Sequence, residues 1–471
     1  MKEIASRTAL ACLLAIASST GTFVVSAHAQ ADVSCRSSDS AGDLLPDDRA
    51  ARDALLQSTA FDATIYGMSA YLQYEQLYRQ VYDRNSANYT GFNRFSHERE
   101  LAGPDYATFK VPNSDTLYST AWIDLENGPV EVNIPPTSLK YFTLNIFDIF
   151  GNPGNLSSRT IGFKGGRFML APPNWKGTPP PGVTVYRSSS VRVWILMRVF
   201  AQSKRELKLA RDFQDRVKIG SAPPTGQIPA PEAGAAGFLR VLDNVLRVDG
   251  CLPGEEALVS RFRILDILGT EPFDPAHLNA TSLAAVEKGY REAQALIERS
   301  RSQLGSPTGT GWTKVRKGNY GFDYVRRSVT NAAGLGANVR EENSSYTTFV
   351  DGTGKQLDAS ASDYVLQLKD PPPVNAFWSV TLYDARTFAL YANPLKRYLI
   401  SDRTSGLKRG ADGSITIDIR HSPPEHGNWL PAPDGPFFIV IRAYSPKPEM
   451  FEGKWLPPAI KAQSRTSKAS R

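Results

Sequence analysis

Histidine and cysteine are scarce in this chain: 471 residues carry five histidines and three cysteines. There is no H-E-x-x-H, because His97-Glu98-Arg99-Glu100 lacks the second histidine. There is no G-x-S-x-G elbow, no P-loop and no G-x-G-x-x-G after a strand. These absences remove the metalloprotease, serine hydrolase, P-loop and dinucleotide-binding routes that such motifs carry. His421 and His426 flank a surface-type loop, Ser422 to Glu425, and no metal or other cofactor is predicted. Ser405-Gly406-Leu407-Lys408 matches S-x-x-K, but in a glycine-rich turn between strands, where that motif has no helix start to sit on. Beyond the amino-terminal leader no run reaches the roughly 18 apolar residues of a membrane span. A net charge of only +7 gives no basic surface to argue for nucleic acid.

What is present begins with an address. Lys2 and Arg7 precede a weakly apolar stretch that ends at Ala27-His28-Ala29, an A-x-A boundary before Gln30. Residues 1–29 read as a secretory signal peptide, and the periplasm or the exterior as the destination. The mature chain keeps Cys35 and Cys251, which an oxidising compartment could bridge. Residues 30–48 read as a linker. Residues 49–110 form an N-terminal helical segment, since Leu55, Phe61, Ile65, Met68, Leu72, Tyr78 and Val81 recur at helical spacing without proline.

The period then changes to two. Val130, Val132 and Ile134 alternate with polar residues, and so do Phe142, Leu144 and Ile146, with a bulge expected where the apolar register moves to Phe147 and Ile149. In residues 191–199, Val191, Val193, Ile195, Met197 and Val199 make one face and Arg192, Trp194, Leu196 and Arg198 the other. Residues 111–202 are therefore a first β-sandwich, 203–335 a helical section, 336–459 a second β-sandwich and 460–471 a basic tail. The fold class is mainly β with helical segments: two antiparallel, jelly-roll-like sandwiches separated by helices.

Val111-Pro112-Asn113-Ser114-Asp115-Thr116-Leu117-Tyr118-Ser119, followed by Ala121-Trp122-Ile123-Asp124-Leu125, resembles the signature of the domain-of-unknown-function 1254 family. Ala376-Phe377-Trp378-Ser379-Val380-Thr381-Leu382-Tyr383-Asp384, with Asn393-Pro394, Asn428-Trp429-Leu430-Pro431 and Gly453-Lys454-Trp455, resembles its partner, domain of unknown function 1214. The resemblance implies the paired sandwiches. It supplies no reaction.

Candidate site residues come from side chains gathered at strand ends. Asp115 and Tyr118 are the candidate catalytic pair, at the mouth of a strand that starts near Thr116. Asn113, Arg159, Arg198, Asp323, Tyr324, Trp378, Arg397 and Trp429 are candidate ligand contacts. Aromatic faces stack on flat ligands, amides and carboxylates bond hydroxyls, and guanidinium forks onto oxyanions. Arg198 and Arg442 lie on strand faces where a lone charge is costly, so each needs an acidic neighbour or an anionic ligand. The leading expectation is an exported protein binding an anionic or polyhydroxylated small molecule, saccharide or organic acid. A metal-independent hydrolase or lyase using Asp115, and a homo-oligomeric assembly protein, are the alternatives.

Overall fold

The computed structural model describes residues 46–106, 111–221 and 226–464. The chain opens with α1 (Arg49–Val81), whose N-cap Asp48 accepts the Ala51 N–H at 2.7 Å. Nine strands follow: β1 (Ser96–His97), β2 (Thr116–Asp124), β3 (Val130–Ile134), β4 (Phe142–Phe147), β5 (Pro153–Ser157), β6 (Gly166–Ala171), β7 (Val183–Arg187), β8 (Arg192–Phe200) and β9 (Lys218–Ile219). Helix α2 (Lys204–Arg216) lies between the last two, started by a capping box of Ser203 and Glu206. The middle section holds α3 (Gly234–Val248), α4 (Glu256–Ser260), α5 (Ala280–Ser300) and, after β10 (Gly305–Pro307) and β11 (Thr313–Val315), α6 (Tyr324–Ala333). The second β region comprises β12 (Asn343–Thr348), β13 (Asp363–Leu368), β14 (Val374–Asp384), β15 (Leu399–Ser401), β16 (Ile415–Arg420), β17 (Asn428–Pro431) and β18 (Phe437–Pro446), then α7 (Pro448–Phe451) and β19 (Lys461–Gln463).

Each β region is two sheets over one core. In the first, β1-β2-β8-β4-β5 faces β7-β6-β3-β9. Val193, Ile195, Met197 and Val199 of β8 meet Val130, Val132 and Ile134 of β3 there, as alternation along the two strands requires. In the second, β10-β11-β12-β18-β14-β15 faces β17-β16-β13-β19 across Trp378, Val380, Leu382, Ile417, Ile439 and Ile441. The architecture is mainly β, with several largely antiparallel sheets and seven α-helices among the described residues. Two pairs, β6 with β7 and β16 with β17, run parallel instead.

Two local expectations are revised. No bulge follows Phe147: β4 keeps register with β8 to its end, and the chain turns at Asp148, whose carboxylate takes the Asn152 N–H and amide, both at 2.9 Å. The pairing of β14 with β18 does shift, between Val374 and Phe377. The basic tail does not start at 460, because Lys461, Ala462 and Gln463 pair with β13. Cys251 is disulfide-bonded, while Cys35, the signal peptide and most of the expected linker lie outside the described residues. No helix among the described residues is long and apolar enough to cross a membrane.

The second face of β8 is buried as well. Trp194, Leu196, Trp122 of β2 and Phe147 of β4 form part of a core with α1, α3 and α5. At the other end of the same face, Phe200 joins Tyr141, Phe377 and Tyr444 in a small aromatic cluster shared by the two sandwiches. One sheet face is thus divided between a helical cap and a neighbouring sandwich.

Candidate functional site

The site is the seam where the five-stranded and six-stranded sheets meet. Its first side is the entry to β2. Asn113 Oδ1 accepts the Asp115 N–H at 2.7 Å, an Asx turn that aims the Asp115 carboxylate out of the strand. Val111 sits at φ 55°, an uncommon conformation for a β-branched residue. It is held there from both sides: its N–H donates to Phe388 O at 3.1 Å and its carbonyl accepts from Arg442 Nη2 at 3.2 Å.

The second side comes from strand alternation in β12, β18 and β14. Ser345, Arg442 and Ser379 stand opposite one another across these strands, so they share one row on one face. Ser379 Oγ donates to Asp115 Oδ2 at 2.6 Å, and Gln202 Nε2 donates to Oδ1 at 2.9 Å. Tyr383 donates to Pro112 O at 2.6 Å, and the amide of Asn113 meets the Tyr444 hydroxyl. Phe377 stacks on Tyr444 at 4.2 Å and approaches Phe200 at 4.5 Å. Asp115 is fully buried, and burial pushes its carboxyl above the ordinary range against the pull of Ser379, Arg442 and Gln202.

Three cations converge on this seam. Arg442 lies over the Tyr383 ring at 5.5 Å, and its buried Nη1 has no partner. Arg198 lies over the Tyr118 ring at 5.5 Å and bonds Asn145 Oδ1 and, at 2.8 Å, Gly336 O. Lys317 Nζ donates to Asn343 Oδ1 at 2.7 Å and to Ser345 Oγ at 3.3 Å. Burial, with Arg442 and Arg198 nearby, lowers the Lys317 amine to about 7. None of the three has a carboxylate oxygen within 4.0 Å among the described residues. Buried arginines elsewhere are paired: Arg192 with Asp249 at 2.5 Å, Arg327 with Glu255 at 3.6 Å. Arg442, Asp115 and Tyr118 are buried, whereas Arg198 and Lys317 keep partial exposure, so the cluster grades from solvent inward.

Comparison with known proteins gives the family. Residues 92–221 match the family described as "Protein of unknown function (DUF1254)", and residues 342–448 the one described as "Protein of unknown function (DUF1214)". The chain is a two-domain protein of these families. The crystal structure of the VPA0106 protein from Vibrio parahaemolyticus is similar, at 25% identity and TM-score 0.68, over 87% of this chain and 100% of that one. A putative uncharacterized protein from Burkholderia cenocepacia aligns at 14% identity and TM-score 0.43, over 89% and 90% of the two chains. No curated protein matches the chain.

The DUF1254 domain contributes Asn113, Asp115, Tyr118 and Arg198 to the seam, and the DUF1214 domain Ser379, Arg442 and Tyr444. Arg159 crosses it too, pairing at 2.9 Å with the buried Glu342, which also takes Ser157 Oγ at 2.9 Å. The other candidates lie elsewhere. Asp323 caps α6, its carboxylate taken by the Arg326 N–H and Nε, each at 3.0 Å. Tyr324 packs on Tyr66 at 5.4 Å on the helical side. Trp378 points into the core of the DUF1214 sandwich. Arg397 Nη1 bonds Trp429 O at 3.1 Å, and the Trp429 indole N–H bonds Arg420 O at 2.9 Å. Arg397 lines an open cleft of about 710 Å³ that meets the seam at Ser114 and Gln202. Lys317, Gln202, Ser379 and Tyr444 were not among the candidates. Ser379 shares its face of β14 with Thr381 and Tyr383, and Tyr444 its face of β18 with Arg442, a polar grouping legible once the strands are split into their two faces.

Proposed function

We propose that the seam binds a small organic anion, and that the chain does so after export. The observation that carries the reading is a cation cluster without a direct ion pair: Arg198, Arg442 and Lys317 share one seam, none has a carboxylate oxygen within 4.0 Å among the described residues, and Arg442 Nη1 is buried without a hydrogen-bond partner. A lone buried cation is costly, and an oxyanion on the open guanidinium would offset that cost. Tyr118, Tyr383 and Tyr444 supply hydroxyls and ring faces for a hydroxylated carbon skeleton. Asp115, with both oxygens already occupied, ties the two domains and leaves its carboxylate near the cations without pairing any of them directly. Export rests on the leader in residues 1–29, with the Ala27-His28-Ala29 boundary.

Isothermal titration calorimetry against short mono- and dicarboxylates, hydroxy acids and uronic acids tests the reading. Binding is expected for at least one class, weakened about tenfold or more in Arg442→Met. Absence of any heat across the panel, or equal affinity in the variant, overturns it.

A further inference from the structure

The arrangement around Lys317 deepens the anion-binding reading and rests on it. The amine is anchored by two neutral acceptors, Asn343 Oδ1 at 2.7 Å and Ser345 Oγ at 3.3 Å, and by no carboxylate within 4.0 Å. Ser345 stands directly opposite Arg442 in the β12–β18 ladder, so the lysine held by Ser345 lies beside the arginine whose Nη1 is unpartnered. The residue keeps partial exposure while its amine is buried beside Arg442, whose whole side chain is buried. A structural lysine would be paired with an acid or extended into water. This one is fixed inside a cation cluster by two neutral acceptors, with an anion-seeking group next to it.

We propose that Lys317 is a nucleophile that forms an imine with an oxo acid whose carboxylate is held by Arg442. The amine nitrogen attacks the ligand's carbonyl carbon, the π electron pair moves to oxygen, and one of the two N–H protons transfers there to give the carbinolamine hydroxyl. The nitrogen gives up its proton, the hydroxyl leaves as water, and a C=N bond joins Lys317 to the ligand. One water is released for each imine formed, and no oxidant, reductant or further reactant takes part. Two features favour the free amine and together bring Lys317 to about 7: burial first, then the neighbouring guanidinium groups of Arg442 and Arg198. The imine draws electrons from the carbon next to it, so the class of reaction served is bond making or breaking adjacent to the ligand's carbonyl, including decarboxylation of a 3-oxo acid.

Pyruvate with sodium cyanoborohydride, followed by peptide mass mapping of the full-length protein, tests this. The expected result is a reduced adduct on Lys317 that exceeds labelling of other lysines by about tenfold, with a rate that levels off near neutral pH. Exposed lysines should label faster up to about pH 10. Lactate, which has the carboxylate but no carbonyl, should slow labelling of Lys317, and Arg442→Met should reduce it by about tenfold. Mapping on the unmodified chain needs no variant to fold; Lys317→Gln and Lys317→Arg then abolish the adduct. Labelling spread evenly over exposed lysines overturns the nucleophile. If lactate binds by calorimetry yet no adduct forms on Lys317, the nucleophile falls and the anion site stands. If neither lactate nor pyruvate binds, both fall.

Discussion

Asp115 and Lys317 show how single residues at the seam carry opposite burdens. Asp115 satisfies two donors from different parts of the chain, Gln202 and Ser379. Asp115→Ala strands both, and each buried donor left without a partner costs about 1–3 kcal/mol. A loss of about 2–5 kcal/mol in urea-denaturation free energy is expected, and Asp115→Asn, which keeps one acceptor, should lose less. Lys317 works the other way. Its folded-state value, about 7, lies below the ordinary 10.5. Between those values the unfolded chain holds a proton that the folded chain lacks, so this group makes stability rise with pH across that window. Lys317→Met should flatten the rise in melting temperature from about pH 7 to about pH 10. An unchanged slope would mean that the amine is charged in the folded protein.

At the scale of elements, alternation along strands was the most legible feature. Residues 191–199 carried both of their faces in plain sight, apolar at odd positions and mixed at even ones, and both faces are buried as written. What covers the second face was not legible, because α1 and the DUF1214 sheet reach it from over a hundred residues away. The same limit hid Lys317, which lies just beyond β11 with no periodicity around it, and left Asp323 looking like a ligand residue when local backbone geometry makes it a helix cap. The helical cap has its own fixed point. A Cβ added at Gly289 of α5 would lie 2.1 Å from the Gln57 carbonyl of α1. Gly289→Ala must therefore part these two helices, and a cost of about 1–3 kcal/mol is expected despite the better helix propensity of alanine. A chemical-denaturation curve that moves the other way would place the two helices farther apart than described.

On the scale of the whole molecule, the two sandwiches are joined by polar ties as well as by packing. Asp115 with Ser379, Pro112 with Tyr383, Gln202 with Ser401 and Arg159 with Glu342 all cross the seam at 2.6–2.9 Å. Burial holds Glu342 above the ordinary carboxylate range, with Arg159 and Ser157 opposing it, so separating the domains would expose groups that each depend on the other side. One cooperative transition is expected, with far-ultraviolet circular dichroism and tryptophan fluorescence giving coincident midpoints. Two resolved transitions would mean that the seam contributes little to stability.

The strand that completes one sheet of the DUF1214 sandwich is assembled from Lys461, Ala462 and Gln463, and it pairs with a strand laid down about a hundred positions earlier. During synthesis, β13 therefore emerges long before its neighbour exists. Until residues 461–463 leave the ribosome, that ladder has an open border able to accept a stranger's backbone. Chains cut off before Lys461 would keep such an unfinished border, and the cell's quality-control machinery would meet them first.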